Sequence, residues 1–248
     1  MLILTRPRPQ AREWLARLRA LGVEAQSLPL IEIERGDGMA AREAWGLLPQ
    51  AALTMFVSPN AVAAFFAVQD TSPWPAQTLA ACVGPGSAQA LREAGVPDAL
   101  IVQPPADSES LDSEHLWPQL SPHDWGGRLA LMLRGEGGRD WLGERLRERG
   151  AETRAFNLYR RVCPQFDATE QALLAETLNE PGRHVWLLSS GEALGHLRQL
   201  APAGFDFSAQ RAIATHERIG AAAHTLGFGH VVLARPDASA VSEAYREL

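Results

Sequence analysis

The sequence predicts an α/β protein made of two doubly wound parallel-sheet domains. Strand-like apolar runs alternate with amphipathic helical segments throughout, and the pattern repeats with a period near half the chain. Strict β/α alternation implies parallel sheets covered by helices on both faces. A chain of 248 residues, 46% hydrophobic, is long and apolar enough for two cores, which excludes a disordered or fibrous protein.

The elements follow in order. "MLILT" reads as a strand, and "QAREWLARLRALG" as a helix with apolar residues at i, i+3 and i+4 and a glycine stop. "VEAQSLPLIEIE" reads as an unusually long strand, followed by the strands "LTMFVS" and "LAACVG"; "SAQALREAG" repeats the helical spacing. "ALIVQ", "RLALML", the long "ETRAFNLYRRV", "HVWLLS", "AIAT" and "HVVLA" complete the strands. In such sheets ligands sit at the carboxyl ends of the strands.

The repeat is visible residue by residue. Arg12 to Ala25, "REWLARLRALGVEA", resembles Arg139 to Thr153, "RDWLGERLRERGAET", and each follows a strand that ends in an arginine, Arg6 or Arg134. "FVSPNAVAAF" matches "LLSSGEALGHL", "CVGPGSAQALREAG" matches "IATHERIGAAAHTLG", and "IVQPPADSESL" matches "VLARPDASAV". Trp14 and Trp141 are 127 apart, whereas Ser58 to Ser189 and Gly84 to Thr215 are each 131 apart. Two boundaries are compatible with this duplication. The repeats are in line, about 1 to 127 and 128 to 248, or the two long strands act as connectors and the domains exchange their first βα units.

Composition removes several function classes. All 23 basic residues are arginine, so a phosphate-loop lysine, a Schiff-base lysine and a lysine base are impossible. A net charge of −6 argues against a generic nucleic-acid binder. No apolar run of membrane-spanning length occurs, and "MLILTRPRPQ" places its apolar residues before its arginines, the reverse of a secretory signal; a soluble cytoplasmic protein is expected. Cys82 and Cys163 read as buried thiols. The histidines lack metal-ligand spacing, so no metal site is expected, and no GxSxG elbow is present.

"LMLRGEGGRDWL", Leu131 to Leu142, is a strand, a glycine-rich turn and a helix start, a layout whose backbone N–H groups can cradle an anion. It lacks the GxGxxG spacing and the acidic residue about 20 positions on, so the anion is not a dinucleotide phosphate. Other strand ends carry small polar residues: Thr5, Ser58 with Asn60, Gly84 with Ser87, Gly135 to Gly138, Ser189 with Ser190 and Gly191, and Thr215. Helix capping accounts for each taken singly, but so many over two domains suggest facing rims of a cleft for an extended polar ligand. Tyr159, beside Arg160 and Arg161, is the best acid candidate, since a phenol is a proton donor at neutral pH and neighbouring cations favour its ionised form; packing in the connector is the structural alternative.

Taken together, "LTRP", "FVSPNAV", "VGPGSAQAL", "DSESL", "LRGEGGRDWLGERLRERGAE", "YRR" and "SSGEAL" resemble, in order and spacing, the uroporphyrinogen-III synthase family. The resemblance covers nearly the whole chain. It implies two flavodoxin-like α/β domains joined by a two-stranded β-ladder, with the active site in the cleft between them and no metal or organic cofactor. It favours the exchanged boundary: 1–33 with 165–248 as one domain, 36–160 as the other, and connectors near 29–38 and 156–166.

The implied substrate is hydroxymethylbilane, a linear tetrapyrrole with eight carboxylates. The enzyme removes its terminal hydroxyl as water, closes the macrocycle and inverts ring D, in support of haem, sirohaem or corrin synthesis. Tyr159 matches the family's tyrosine proposed to assist loss of the hydroxyl. Ser58, Asn60, Ser87, Ser189, Ser190 and Gly191 match positions that line the cleft. Thr5, Arg6, Arg134, Gly135, Gly138, Arg139 and Thr215 join them as strand-end candidates for holding carboxylates.

The sequence departs from the family at "ATHERIG", around His216 and Arg218, and at "SPNA", where a proline separates Ser58 from Asn60. A monomer is expected, receiving substrate from hydroxymethylbilane synthase and engaging neither nucleic acid nor membrane. The rival from another class is a non-catalytic, two-lobed cytosolic small-molecule binding protein. A flavodoxin-type interaction module would need a phospho-acceptor aspartate at a strand end, and none of these strands ends in one.

Overall fold

The structure is a computed structural model that describes residues 1–68, 72–105, 107–108, 110–137 and 140–248. In chain order the elements are β1 (Leu2–Leu4), α1 (Arg8–Ala20), β2 (Ala25–Ser27), β3 (Glu32–Arg35), α2 (Met39–Leu47), β4 (Ala51–Phe56), α3 (Pro59–Phe66), β5 (Leu79–Cys82), α4 (Pro85–Glu93) and β6 (Ile101–Val102). They continue with α5 (Ser113–Leu120), β7 (Leu129–Gly135), α6 (Trp141–Glu148), β8 (Glu152–Val162), α7 (Ala168–Asn179), β9 (Val185–Leu188), α8 (Gly191–Leu200), β10 (Arg211–Ala214), α9 (Glu217–Leu226), β11 (His230–Leu233) and α10 (Ala238–Arg246). By contact the chain divides into two compact units. Unit 1 is Met1–Glu32 with Val162–Leu248, and unit 2 is Ile33–Arg161.

Each unit holds one sheet. Unit 1 has the strand order β11-β10-β9-β1-β2, with parallel pairing throughout. Unit 2 has β8-β7-β4-β5-β6, again parallel, with β3 added outside β8. The repeat aligns β1 with β7, β2 with β8, β9 with β4, β10 with β5 and β11 with β6. Under that mapping the two strand orders are identical, so the duplicated sequence builds the same sheet twice.

Burial explains why the strands are continuously apolar. In β7, Ala130 and Met132 pack with α5 and α6 on one face, while Leu131 and Leu133 pack with α2, α3 and α4 on the other. β5 divides the same way, Ala81 to the first layer and Ala80 with Cys82 to the second. In unit 1, Leu2, Leu4, Val185 and Leu187 meet Trp14 and Leu18 of α1 and Val241 of α10. Both cysteines are free; Cys82 is buried, which pushes its thiol up to about 11, whereas Cys163, expected to be buried as well, is only partly so. Among the described residues, no helix is long and apolar enough to cross a membrane.

One long element divides. "VEAQSLPLIEIE" forms two short strands, β2 and β3, that lie in different sheets. Pro29 lies in the gap, where a residue without an N–H cannot sustain a ladder. "ETRAFNLYRRV" contains no such break and runs unbroken as the 11 residues of β8.

His184, just before β9, is almost fully buried and faces Glu176 Oε1 at 3.3 Å from its Nε2. Burial holds its pKa below the ordinary 6.5, opposed by Glu176. The folded ring is therefore neutral where the unfolded ring, near 6.5, takes up a proton, so stability is full above that pH and declines as pH falls below it. The urea midpoint is expected to drop between pH 7.5 and 5.5, with a smaller drop in His184→Gln. An equal drop in both proteins would remove His184 as the cause.

Candidate active site

The carboxyl ends of β8, β7 and β4 in unit 2 build a cleft of about 340 Å³. Tyr159 is among the residues that line it. The register between β7 and β8 slips after Arg134, so that Asn157 faces Arg134 and Tyr159 faces Gly135. Such a bulge re-aims a side chain. Here it lays the Tyr159 ring over Gly135, whose absent Cβ would stand 2.6 Å from Cε2 and 2.8 Å from Cζ. The backbone is tied at the same place, since Glu136 N–H donates to the Tyr159 carbonyl at 2.9 Å.

Ser58 meets Tyr159 from β4. The two hydroxyls share a 2.9 Å hydrogen bond in which either oxygen can donate. Ser58 also caps α3, its Oγ accepting from Ala61 N–H at 3.2 Å, with Pro59 at the first helical position where a missing N–H costs nothing. The proline of "SPNA" therefore extends the cap and does not displace Ser58. Asn60, in the first turn of α3, is half-buried and lies outside the cleft lining.

Arg134 lines the cleft with its Nε buried and unpartnered. Its Nη1 lies 3.6 Å from Asp140 Oδ1, while Asp140 Oδ2 accepts from Arg147 at 2.8 Å. Arg161, two residues beyond Tyr159, also faces the cleft; Arg160 turns away and pairs with Glu34 at 2.6 Å. Gly138 and Arg139 lie outside the described residues, and of the glycine turn the structure adds Gly137, at φ +74°.

The remaining wall is apolar: Met55, Val57, Val83, Leu111 and Trp141. Of these, Leu111 is 51% exposed and Val57 37%. Asp112 and Ser113 complete the lining, and sequence reasoning missed both. Asp112 caps α5, accepting from His115 N–H at 2.9 Å and meeting its Nδ1 at 2.6 Å. Burial pushes the Asp112 carboxyl up, but the His115 hydrogen bonds outweigh it and hold the group down at about 2. The signal was the echo "DSESL-DSEHL", whose second copy starts the helix.

In unit 1 the candidates fall on the carboxyl ends of adjacent strands. Leu4 pairs with Leu187 and Leu188 with Ala214, which sets Arg6, Ser189 and Thr215 in one row just beyond the sheet. Thr5 is buried, its hydroxyl spent on the Leu187 carbonyl at 2.7 Å. Ser190 starts α8 without a side-chain cap bond, and Gly191 leaves open space beside it. Thr215 N–H bonds the Leu188 carbonyl. His216 caps α9, its Nδ1 accepting from Arg218 N–H at 3.0 Å, which accounts for the histidine of "ATHERIG". Ser87, in unit 2, is 3% exposed inside α4's packed face, so its hydroxyl does not reach the surface.

Comparison with known proteins identifies the family of the chain as a whole. The family model described as "Uroporphyrinogen-III synthase HemD" matches residues 12–243. The chain belongs to the uroporphyrinogen-III synthase family. Curated uroporphyrinogen-III synthases of Salmonella typhimurium and Escherichia coli are 31% and 30% identical to it, each over 94% of both chains. The solved uroporphyrinogen-III synthetase of Helicobacter pylori covers 99% of this chain and 98% of its own, with a TM-score of 0.63 at 15% identity. A mutant uroporphyrinogen III synthase of Thermus thermophilus covers 99% and 97%, at 0.60 and 17%; at such identities these two support the fold alone.

Proposed function

We propose that this chain carries out the family's reaction, closing hydroxymethylbilane to uroporphyrinogen III with loss of water and inversion of ring D, and that the unit 2 cleft is where the hydroxyl leaves. The observation that carries this reading is the Tyr159–Ser58 hydroxyl pair at the base of a cleft with an arginine at its side and an apolar wall. The leaving hydroxyl takes a proton from that pair and departs as water. The pyrrole nitrogen's electrons expel it, leaving an azafulvene electrophile. Ring D then attacks through its substituted carbon to give a spirocyclic pyrrolenine. The bond from that carbon to its original methylene breaks, leaving a second azafulvene on the neighbouring ring, and the unsubstituted α-carbon of ring D closes onto that methylene and loses its proton. Since the pyrrole supplies the electrophile, the protein needs a proton donor and control of geometry. No metal or organic cofactor takes part.

The apolar wall suits a pyrrole face, and Arg134 suits an acetate or propionate, which guanidinium binds in bidentate fashion. A cleft of about 340 Å³ sits at the small end of ligand sites, so it takes part of a tetrapyrrole. The carboxyl edge of unit 1, with Arg6, Ser189, Ser190, Gly191 and Thr215, offers further contacts to the acid side chains, and Asn60, Gly138 and Arg139 are assigned to the same work in unit 2. The protein acts as a cytoplasmic monomer and takes its substrate from hydroxymethylbilane synthase.

The deciding experiment supplies freshly made hydroxymethylbilane and separates the uroporphyrinogen isomers after oxidation. Isomer III in excess over the uncatalysed control is expected; isomer I alone would sink the assignment. Arg134→Ala is expected to raise KM with a smaller effect on kcat. Both constants unchanged would mean that Arg134 only structures its turn.

A further inference from the structure

Arg6 and Arg134 occupy equivalent places in the repeat, each just after or at the end of a central strand and ahead of a tryptophan-bearing helix. Each has a buried Nε without a hydrogen-bond partner. Their surroundings differ. Arg134 has Asp140 at 3.6 Å, whereas the acid at the matching position in unit 1, Glu13, turns outward and pairs with Arg17 one helical turn on. Among the described residues, Arg6 has no carboxylate partner. Its guanidinium instead lies over the Trp14 ring, 4.3 Å from the centroid.

A partly buried cation without a counter-charge is costly to hold, and an arriving anion relieves that cost. Stacking on indole fixes the plane of the guanidinium and leaves its edge donors free. Trp14 is itself locked, 8% exposed among Leu2, Leu4, Leu18 and Val185. The strand register places Arg6 beside Ser189, next to the start of α8, where Ser190 makes no side-chain cap bond and the first turn carries one acid, Glu192; the positive end of that helix favours negative charge. Burial alone lowers the Arg6 pKa, and no neighbouring carboxylate raises it.

We infer that Arg6, laid on Trp14, is a carboxylate receptor of unit 1, with Trp14 as its positioning residue. The inference rests on the reading of the chain as a synthase with a carboxylate-rich substrate. The receptor stands open because its repeat-equivalent acid has been turned away, whereas the Arg134 receptor carries a resident counter-charge.

The test measures KM and kcat for isomer III formation in Arg6→Gln, Trp14→Leu and Trp14→Phe, with thermal melts of each. Arg6→Gln is expected to raise KM roughly 10- to 100-fold, the value of charge-assisted hydrogen bonds, with kcat within about threefold of wild type. Trp14→Leu raises KM in the same direction, and Trp14→Phe, which keeps a stacking face, restores most of it. An unchanged KM in Arg6→Gln overturns the receptor, whatever Trp14→Leu does to the fold. A KM that rises equally in the leucine and phenylalanine variants overturns the positioning role. Failure of the wild-type protein to form isomer III would instead strike the synthase reading, so the two failures are separable.

Discussion

Tyr159→Phe is expected to lower turnover about 10- to 100-fold, with KM little changed, the span at and below the usual value of general acid catalysis. The substitution removes one oxygen. The ring stays over Gly135 and keeps its place in the buried cluster of unit 2, so the loss is chemical. The 2.9 Å bond to Ser58 permits two proton arrangements. With Tyr159 donating, the Ser58 proton is the one free for substrate; with Ser58 donating, the phenol proton is free. Ser58→Ala separates them. It removes the α3 cap in either case, at a cost of about 1 kcal/mol, but lowers turnover as far as Tyr159→Phe only if the serine passes the proton on. Full activity in Tyr159→Phe, measured by isomer III formation, would remove the tyrosine from the mechanism.

How much of this site could be read in the sequence follows from what each residue depends on. Ser58 and Ser190 were visible because a small polar residue between an apolar run and a helical pattern is a local signal, and the structure places both as helix starts. The parallel sheets were visible for the same reason, since strands buried on both faces stay apolar throughout. The cleft's apolar rim was not visible. Leu111 and Trp141 belong to segments about 30 residues apart, and they share the cleft because α5, which follows Leu111, packs beside α6, which Trp141 starts.

Thr5 and Ser87 show the converse. Both carry the strand-end signal, yet the Thr5 hydroxyl is spent on a neighbouring strand and Ser87 falls on the inward face of its helix, facts of register that residue type alone does not encode. The division of "VEAQSLPLIEIE" was hidden because apolar content masked Pro29. The bulge at Leu158 was hidden because no residue type marks it, and without it the line "NLYRR" gives no hint that Tyr159 faces a glycine.

That glycine carries the second large effect. Gly135→Ala is expected to destabilise unit 2 by about 1–3 kcal/mol and to reduce turnover at least as far as Tyr159→Phe. The backbone at Gly135 is not in the left-handed region, so the cost is contact and not conformation. An added Cβ would lie 2.6 Å from Cε2 and 3.2 Å from Cδ2 of a ring that is 4% exposed. The ring cannot swing out as a flexible chain end would; either the strands part or the ring tilts and the Ser58 bond breaks. Glycine at this position thus does for the tyrosine what a binding pocket does for a ligand. Coupling tests the point directly. In a Tyr159→Ala background the ring is gone and Gly135→Ala should become nearly neutral to stability, a departure from additivity expected only of residues in contact. Denaturant melts of the two single variants and the double variant give that coupling, and strict additivity would mean that the ring does not rest on Gly135.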